Sequence, residues 1–593
     1  MSIQEKLIRI FLLLLVAIAT VGALPARAQI VGATVAGTVH DTTGATVNGA
    51  MVTVRQTETG ATRIIVTGAD GRYAAPSVPV GNYSVSVAKD GFQPQQQKGI
   101  DLAIGQSVQV NFTISVSTVH EEVVVDAGDP VVNITSQQVS GLIDERQVKE
   151  LPLNGRSYDQ LITLNPATVN YTGQRSGSIG TSNSSVGNMF SASGRRPQDN
   201  LFLLNGVEYT GASLINVTPG GTSGQLLGID GIREFNVVTD TYGAEYGKRD
   251  GAQVSIVTSG GTNELHGSAY DFERNSYFDA RNYFDGARIP EFQRDDFGAS
   301  LGGPIRKDKT FLFGNYEGFR QNLGESLVTL VPDATSRGKA VSSVQPLLNL
   351  WPVANGPEIL TNGSASGIAE WIGTAPQNIR EDFGTARFDQ SLTSKDTFTG
   401  VYTVDDSSAV SPSADPYSYV SERLREQVLS GEEKHTFNRA VNVARVGYSR
   451  ASYYFYGYVP AAQQALVPGV RSGVPTYAVV ISGSTASNGA SSITTAGANV
   501  GSNNGITRNL FTYDDHAYYT KGKHSLEVGV WVQRLQSNDN LAQDQYGQAS
   551  FASLTTFLAG TIKTFTYAPQ TTELGWRTLF VNAFIEDVYH IAP

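Results

Sequence analysis

The residue types that most often carry chemistry are few and scattered in this sequence. Seven His and no Cys occur among 593 residues, which removes thiol nucleophiles, disulfide scaffolds and Cys-zinc sites together. His40, His120, His266, His435, His516, His524 and His590 stand far apart, and no His-Glu-x-x-His places two of them on one helix face. Gly-x-Ser-x-Gly and the Walker phosphate loop are also missing. Asp514-Asp515-His516 is the nearest approach to a metal-binding group, but a polar strand face explains it more simply. Asp295-Asp296 and Asp405-Asp406 are adjacent carboxylates; on a strand, neighbours point to opposite faces and cannot share a proton or a substrate. No catalytic residue, metal or cofactor is expected, and the chain reads as a non-enzyme.

The elements that hold these residues fit a long β protein. Net charge is −11, with 16% charged residues and 62 Gly, so the basic stripe that meets phosphates is missing and nucleic acid is not expected as a partner. At the amino terminus Lys6 and Arg9 precede an apolar run, Ile10 to Val21, and then Ala26-Arg27-Ala28. This is the layout of a secretory signal peptide, assigned to residues 1–28, and the apolar run is shorter than the ~20 residues of a spanning helix. From residue 29 to 117, short strands alternate with turns such as Asp41-Thr42-Thr43-Gly44 and Asp70-Gly71. The strict alternation in Tyr83-Ser84-Val85-Ser86-Val87 suits a half-buried strand, and the whole suits a small sandwich. Further on, Asp144 is positioned to cap a short helix that Pro152 stops, and Asn205-Gly206 closes the strand Leu201-Phe202-Leu203-Leu204.

From about residue 263 the segments lengthen. Leu526, Val528, Val530 and Val532 share one parity, while Ser525, Glu527, Gly529, Trp531 and Gln533 share the other. Such a dyad puts apolar residues toward lipid and polar ones toward a lumen. Short turns at Arg306 to Lys309, Thr393 to Asp396 and Lys521 to Lys523 are expected on one side, with long loops near 322–378 and 456–505 on the other. A tandem array of extracellular sandwiches is the soluble alternative, but it calls for repeats of about 90–100 residues, and no second copy of the first domain is visible.

Several of these stretches resemble known families. Gly37-x-Val39, Gly44, Val52-x-Val54, Thr67, Asp70-Gly71-x-Tyr73, Gly81-x-Tyr83 and Gly91-Phe92 are similar to the carboxypeptidase regulatory-like, prealbumin-like sandwich. The resemblance implies a spacer or docking module; carbohydrate binding is the other role known for that topology. Glu150 to Arg156, Asn200 to Val207, Ile232 to Phe235, Tyr242 to Gly247 and Val257 to Asn263 resemble the plug of TonB-dependent outer-membrane receptors, in the Oar-like group where the sandwich precedes the plug.

The fold expected is therefore mainly β: a prealbumin-like sandwich (29–117), a linker with an α+β plug (118–262), and part of an antiparallel transmembrane barrel (263–593). The resemblance implies a receptor that binds substrate on plug and outer loops and is driven by a TonB-type protein of the inner membrane. Its surroundings would be outer-membrane lipid, and its cargo an oligosaccharide, peptide or chelate. Glu121, Glu122, Val123, Val124, Val125, Asp126 and Ala127 form the best candidate for the TonB box, because a short acidic then β-branched linker can pair with another sheet's edge. Within the plug the resemblance singles out Arg195, Arg196, Asp199, Asn200, Asn205, Gly206, Glu234, Glu245 and Tyr246. Arg195, Arg196 and Asp199 suit plug-to-barrel ion pairs or substrate-loop contacts. Asn205 stands where many relatives have Asp, so no role that depends on charge is expected of it. About ten strands fit before Pro593, against about 22 in plugged transporters. Open barrel edges in lipid are untenable, and with no aromatic terminus the sequence is expected to be a fragment or truncated product.

Overall fold

A computed structural model describes residues 32–116, 123–126, 139–170, 187–209, 211, 218–240, 243–281, 283, 285, 288–481, 493–498, 503–542 and 544–589. The expected signal peptide, 1–28, lies outside the described residues, as do Glu121, Glu122, Ala127 and Tyr242.

Two sheets make the amino-terminal sandwich. One contains β1 (Ala33–Asp41), β4 (Arg72–Val78), β7 (Ser107–Gln109) and β8 (Phe112–Ile114); the other contains β2 (Met51–Gln56), β3 (Thr62–Val66), β5 (Gly81–Ala88) and β6 (Gln95–Leu102). The inward parity of each strand forms one core, with Val35, Val52, Val85, Ile100 and Ile114 fully buried. The motif residues have local reasons. A Cβ on Gly37 would lie 1.9 Å from the Val110 carbonyl oxygen, to which the Tyr73 hydroxyl donates at 2.5 Å. Thr67 Oγ1 accepts from Ala50 N at 2.8 Å and donates to Val47 O at 2.7 Å, joining two loops under the core. A further strand, β9 (Val123–Asp126), adds in parallel to β6, so the second sheet runs β3-β2-β5-β6-β9.

The central domain is a mixed sheet in the order β10-β15-β16-β13-β14: β10 (Val139–Ile143), β13 (Leu201–Leu204), β14 (Val207–Glu208), β15 (Ile232–Asp240) and β16 (Gln253–Thr258). A separate small pair joins β11 (Thr168–Asn170) to β12 (Phe190–Ala192). Helix Glu145–Glu150 begins in a capping box between Asp144 and Gln147, and a 3-10 run, Tyr158–Leu164, lays Tyr158, Leu161 and Ile162 into the core. Asn205 and Gly206 both have positive φ, +47° and +76°, the geometry of the tight hairpin turn for which Asn-Gly is favoured.

The remaining chain builds one large antiparallel sheet. Its ten strands follow in chain order: β17 (His266–Asn275), β18 (Phe292–Arg306), β19 (Thr310–Pro332), β21 (Ser364–Ser391), β22 (Asp396–Pro412), β23 (Tyr419–Thr436), β24 (Ala440–Tyr458), β26 (Asn504–Lys521), β27 (His524–Leu541) and β30 (Thr572–Tyr589). Strand β20 (Glu358–Thr361) pairs with β21 outside that path. The expected dyad is present: Gly529, Trp531 and Gln533 are buried, and Val528 and Val530 are exposed. The adjacent acids also part as expected, Asp296 and Asp405 inward and Asp406 outward.

The loop expected near 322–378 is in large part strand. β19 and β21 stay paired from Thr310↔Gln390 to Pro332↔Ile368. The upper part of this pair is buried on one face, at Leu327, Thr329, Val331 and Ile368, while Val328 is exposed, so the strands continue because they have a core to pack against. On that same side three excursions share a core. Leu347, Leu350 and Trp351 come from the first, Val467, Val479 and Ile481 from the second, and Phe551 and Phe557 from the third. Strands β25 (Ala478–Ile481), β28 (Gln548–Phe551) and β29 (Thr564–Thr566) tie two of them into a small sheet.

Candidate functional site

The central domain rests on the inner face of the large sheet through a strand-poor segment, residues 218–231. Four wall side chains accept its backbone N–H groups: Glu317 Oε2 from Gly228 at 2.8 Å, Glu381 Oε2 from Ser223 at 3.2 Å, Ser407 Oγ from Thr222 at 2.9 Å, and Glu426 Oε2 from Gly220 at 3.4 Å. Close approach explains the glycines. A Cβ on Gly221 would meet the Glu381 carboxylate at 2.1 Å, and one on Gly228, where φ is +100°, would meet the Phe383 ring at 2.3 Å. A buried carboxylate is costly without charge-assisted partners. Glu317, 0% exposed, has Arg156 Nε at 3.7 Å, and the same guanidinium donates to Asp230 at 2.6 Å. That guanidinium lies 4.0 Å above the Tyr270 ring, where the ring face attracts a cation. Arg156 belongs to a motif visible in the sequence, but its wall partner is 161 positions away along the chain, out of reach of any local pattern.

The residues singled out from sequence fall into four places. Arg195 and Arg196 do not reach the wall by any ion pair among the described residues: Arg195 Nη1 donates to the Thr239 carbonyl, and Arg196, its side chain 82% exposed, pairs with Asp199 at 3.6 Å. Their role here is to hold the loop before β13, because Asp199 O accepts from Gly251 N at 2.7 Å and ties that loop to the start of β16. Asn200 and Asn205 are buried connectors. Asn200 bridges Phe190 O and Ala252 N at 2.7 and 2.9 Å. Asn205 Oδ1 accepts from Thr258 N at 3.2 Å, and its carbonyl accepts from the wall residue Ser430. An amide suffices for these contacts, in keeping with the departure from Asp.

Glu245 and Tyr246 sit against the last two wall strands. Ala244 N donates to Glu586 Oε2 at 3.2 Å, and Tyr246 is buried. Burial pushes the Glu245 carboxyl up to about 7, with Glu586 and Glu527 adding to the rise. Lys248 completes this contact, bonded to Glu208, 2.7 Å from Gln533 Oε1 and 4.9 Å from the centre of the Phe580 ring.

Glu234 faces the other way, toward the sandwich. It is 7% exposed and its Oε1 accepts from Ile104 N at 2.5 Å, while Asn236 Nδ2 donates to Ile104 O at 3.4 Å. Burial raises its carboxyl to about 7, opposed by the Ile104 hydrogen bond and by Arg233. Arg233 itself donates to Glu58 at 2.8 Å, and Glu58 O accepts from Asn263 N at 2.9 Å. The sandwich is thus pinned to the side of the large sheet that carries the short turns. Between them lies a cavity of about 170 Å³ whose lining includes Glu58, Arg233, Thr258, Arg387, Glu432 and Lys434. Of the candidate TonB box, Val123 to Asp126 form β9; Gln95, Gln96, Gln97 and Lys98 are their partners on β6.

One cluster escaped sequence reasoning. Asp396, Glu433 and His435 bring one potential ligand atom each within 4.8 Å of one another near a short turn. His435 Nδ1 lies 2.5 Å from Asp396 Oδ1 and Thr393 also bonds that carboxylate, so hydrogen bonding accounts for the grouping.

Comparison with known proteins follows this division of the chain. The outer membrane beta barrel domain family matches residues 257–593, and the carboxypeptidase regulatory-like domain matches residues 34–115. The TonB-dependent transporter Oar of Myxococcus xanthus is a homologue, 25% identical over 269 residues, which cover 42% of this chain and 23% of Oar. The chain thus spans less than a quarter of that curated relative. Among solved structures, the outer membrane transporter YddB of Escherichia coli is 11% identical, with a TM-score of 0.47 over 76% of this chain and 55% of that one. A mutant of the ferric enterobactin receptor PfeA of Pseudomonas aeruginosa is 12% identical, with a TM-score of 0.45 over 77% and 56%. With more than half its length in the matched region, the chain belongs to the outer membrane beta barrel domain family, preceded here by a carboxypeptidase regulatory-like domain.

Proposed function

We propose that the protein is a TonB-dependent outer-membrane receptor and transporter, not an enzyme. The central domain, residues 118–262, is its plug and the large sheet, residues 263–593, is barrel wall, with residues 1–28 serving export. The supporting observation is the seam between them: plug backbone amides at Gly220, Thr222, Ser223 and Gly228 bond to wall side chains. The seam combines these individually modest bonds with a small apolar contact of Leu227 on Phe319, Ile379 and Phe383, so the plug can rearrange without unfolding the wall. Lipid covers the outer face, where Val528, Val530, Leu579, Val581 and Ile585 are exposed.

Substrate binds on the plug and the long excursions. Its class is an oligosaccharide, peptide or chelate. The outer membrane has no energy source of its own, so force arrives from a TonB-type inner-membrane protein that adds a strand to residues 121–127.

The test is fractionation of the full-length product followed by deletion of residues 121–127. Detergent-dependent recovery with outer membranes is expected. The deletion should abolish energy-dependent uptake while sparing binding at the cell surface. A freely soluble product would refute the receptor reading and favour an exported binding protein, with carbohydrate binding by the sandwich as its function. Unchanged uptake in the deletion would refute the TonB-box assignment alone.

A further inference from the structure

Strand β6 is unusual in composition. Its first half is Gln95-Gln96-Gln97-Lys98, without the alternation that a sandwich strand would need to bury one face. What that half does in the fold is pair on both sides, antiparallel with β5 and parallel with β9. The parallel ladder is short, from Gln95↔Val123 to Lys98↔Asp126, and it is formed by the segment assigned above to partner binding. Strand β6 also has a second attachment. It ends at Leu102, and two residues later Ile104 N donates to Glu234 on the plug strand β15, while Ile104 O accepts from Asn236.

We propose that β6 is a holding strand: the sandwich stores residues 123–126 as the last strand of its own sheet, and the partner's strand displaces β6 to engage them. This inference rests on the partner-binding reading of residues 121–127. The reasoning is mechanical. While β9 remains on β6, a pull on it is delivered to the sandwich, which Glu58, Arg233 and Glu234 pin to the plug and which Asn263 pins to the base of the wall. Released from β6, the segment passes the same pull along the chain to β10 and the plug sheet. A parallel ladder of four residues is a minimal attachment, suited to exchange, because backbone pairing lost to β6 is regained with the incoming strand. The Glu234–Ile104 bond ties the holding strand to the plug, so a shift of β15 is felt two residues from the end of β6.

These 593 residues contain no Cys, so within them two introduced thiols are the only ones that can form a cross-link. In the double variant Gln96→Cys/Val124→Cys, the two positions are ladder partners. Thr62→Cys/Val124→Cys is the control, because β3 lies at the opposite edge of the same sheet. Oxidation should cross-link the first pair and not the second, read by peptide mass spectrometry. The probe for binding is the purified periplasmic domain of a TonB-type protein from the same genome. Oxidised Gln96→Cys/Val124→Cys protein should bind it at least tenfold more weakly than the reduced form, with full recovery on reduction.

Absence of the cross-link overturns the holding strand. Equal binding by oxidised and reduced protein overturns displacement, since the partner would then have engaged β9 in place. If the cross-link forms but deletion of residues 121–127 leaves partner binding unchanged, the coupling assignment falls and the storage role falls with it. In Glu234→Ala, backbone amide exchange of residues 123–126 should quicken severalfold; an unchanged rate would refute the tie between plug and holding strand.

Discussion

Replacing Glu234 with Gln should remove most of the pH dependence of sandwich docking, and the size of the effect follows from its surroundings. In the docked state burial lifts the carboxyl from an ordinary 4.5 to about 7. Undocking returns it to water and to its ordinary value, so docking takes up a proton between those two pH values. The docked state is therefore favoured fully below about 4.5, and that contribution is lost as pH rises through about 7. A difference of this size is worth roughly 3.5 kcal/mol at ~1.4 kcal/mol per pH unit, or about 300-fold in the opening constant. Asp101, also raised by burial, acts with the same sign, while Arg233 opposes both. Gln keeps the Oε1 acceptor for Ile104 N and removes the titration. The assay is hydrogen exchange of the segment around Ile104 in the full chain between pH 5 and 8, corrected for the intrinsic rate. Protection should fall steeply with pH in the natural protein and much less steeply in Glu234→Gln, where only Asp101 still contributes. A level profile in the natural protein, or the same slope in both, would refute the burial argument.

Other perturbations have equally definite outcomes. Arg156→Met strips the buried Glu317 of its nearest cation and should cost about 3–5 kcal/mol, as breaking a buried pair does; limited proteolysis of the plug should show it. Gly228→Ala must accommodate a positive φ and a Cβ 2.3 Å from Phe383. It should loosen the plug by more than about 2 kcal/mol, measured by thermal unfolding in detergent. Val530→Arg places a charge on the exposed face of β27 and should cost about 2–4 kcal/mol of membrane stability, read as slower folding into vesicles. Gln533→Ser on the buried parity of β27 should leave that folding rate unchanged and release the contacts to Lys248 and Thr512. Tyr73→Phe leaves the buried Val110 carbonyl short of a donor, a loss of about 1–3 kcal/mol in sandwich stability by hydrogen exchange.

What could be read in advance was whatever a short window controls. Capping by Asp144, the Asn205-Gly206 turn and the parity of residues 525–533 each depend on neighbours within a few positions, and each is present. Strand β6 was illegible for a physical reason: Gln95 to Lys98 are held by strands on both sides, not by a core of their own. The upper halves of β19 and β21 pack through Val331 and Ile368 against a core supplied by distant excursions, which no short window shows. The plug seam was hidden more deeply still. It uses backbone amides of a loop rather than the Arg195, Arg196 and Asp199 side chains that drew attention, and a backbone donor leaves no trace in residue type. Glu234 was singled out by its motif, but its bond to a residue 130 positions earlier could come only from the fold.

The shared core of the three outward excursions has a consequence for how this surface is recognised and how it changes over time. Trp351 packs edge-on against Phe557, and its indole donates to Thr494 O at 2.6 Å, so each excursion is shaped by the other two. A synthetic peptide copied from any one of them would not reproduce the surface, and antibodies raised against such peptides should fail on intact cells. The same interdependence means that a substitution at Trp351 or Phe557 should reshape all three excursions together, so the surface they present would be exchanged as a single cassette.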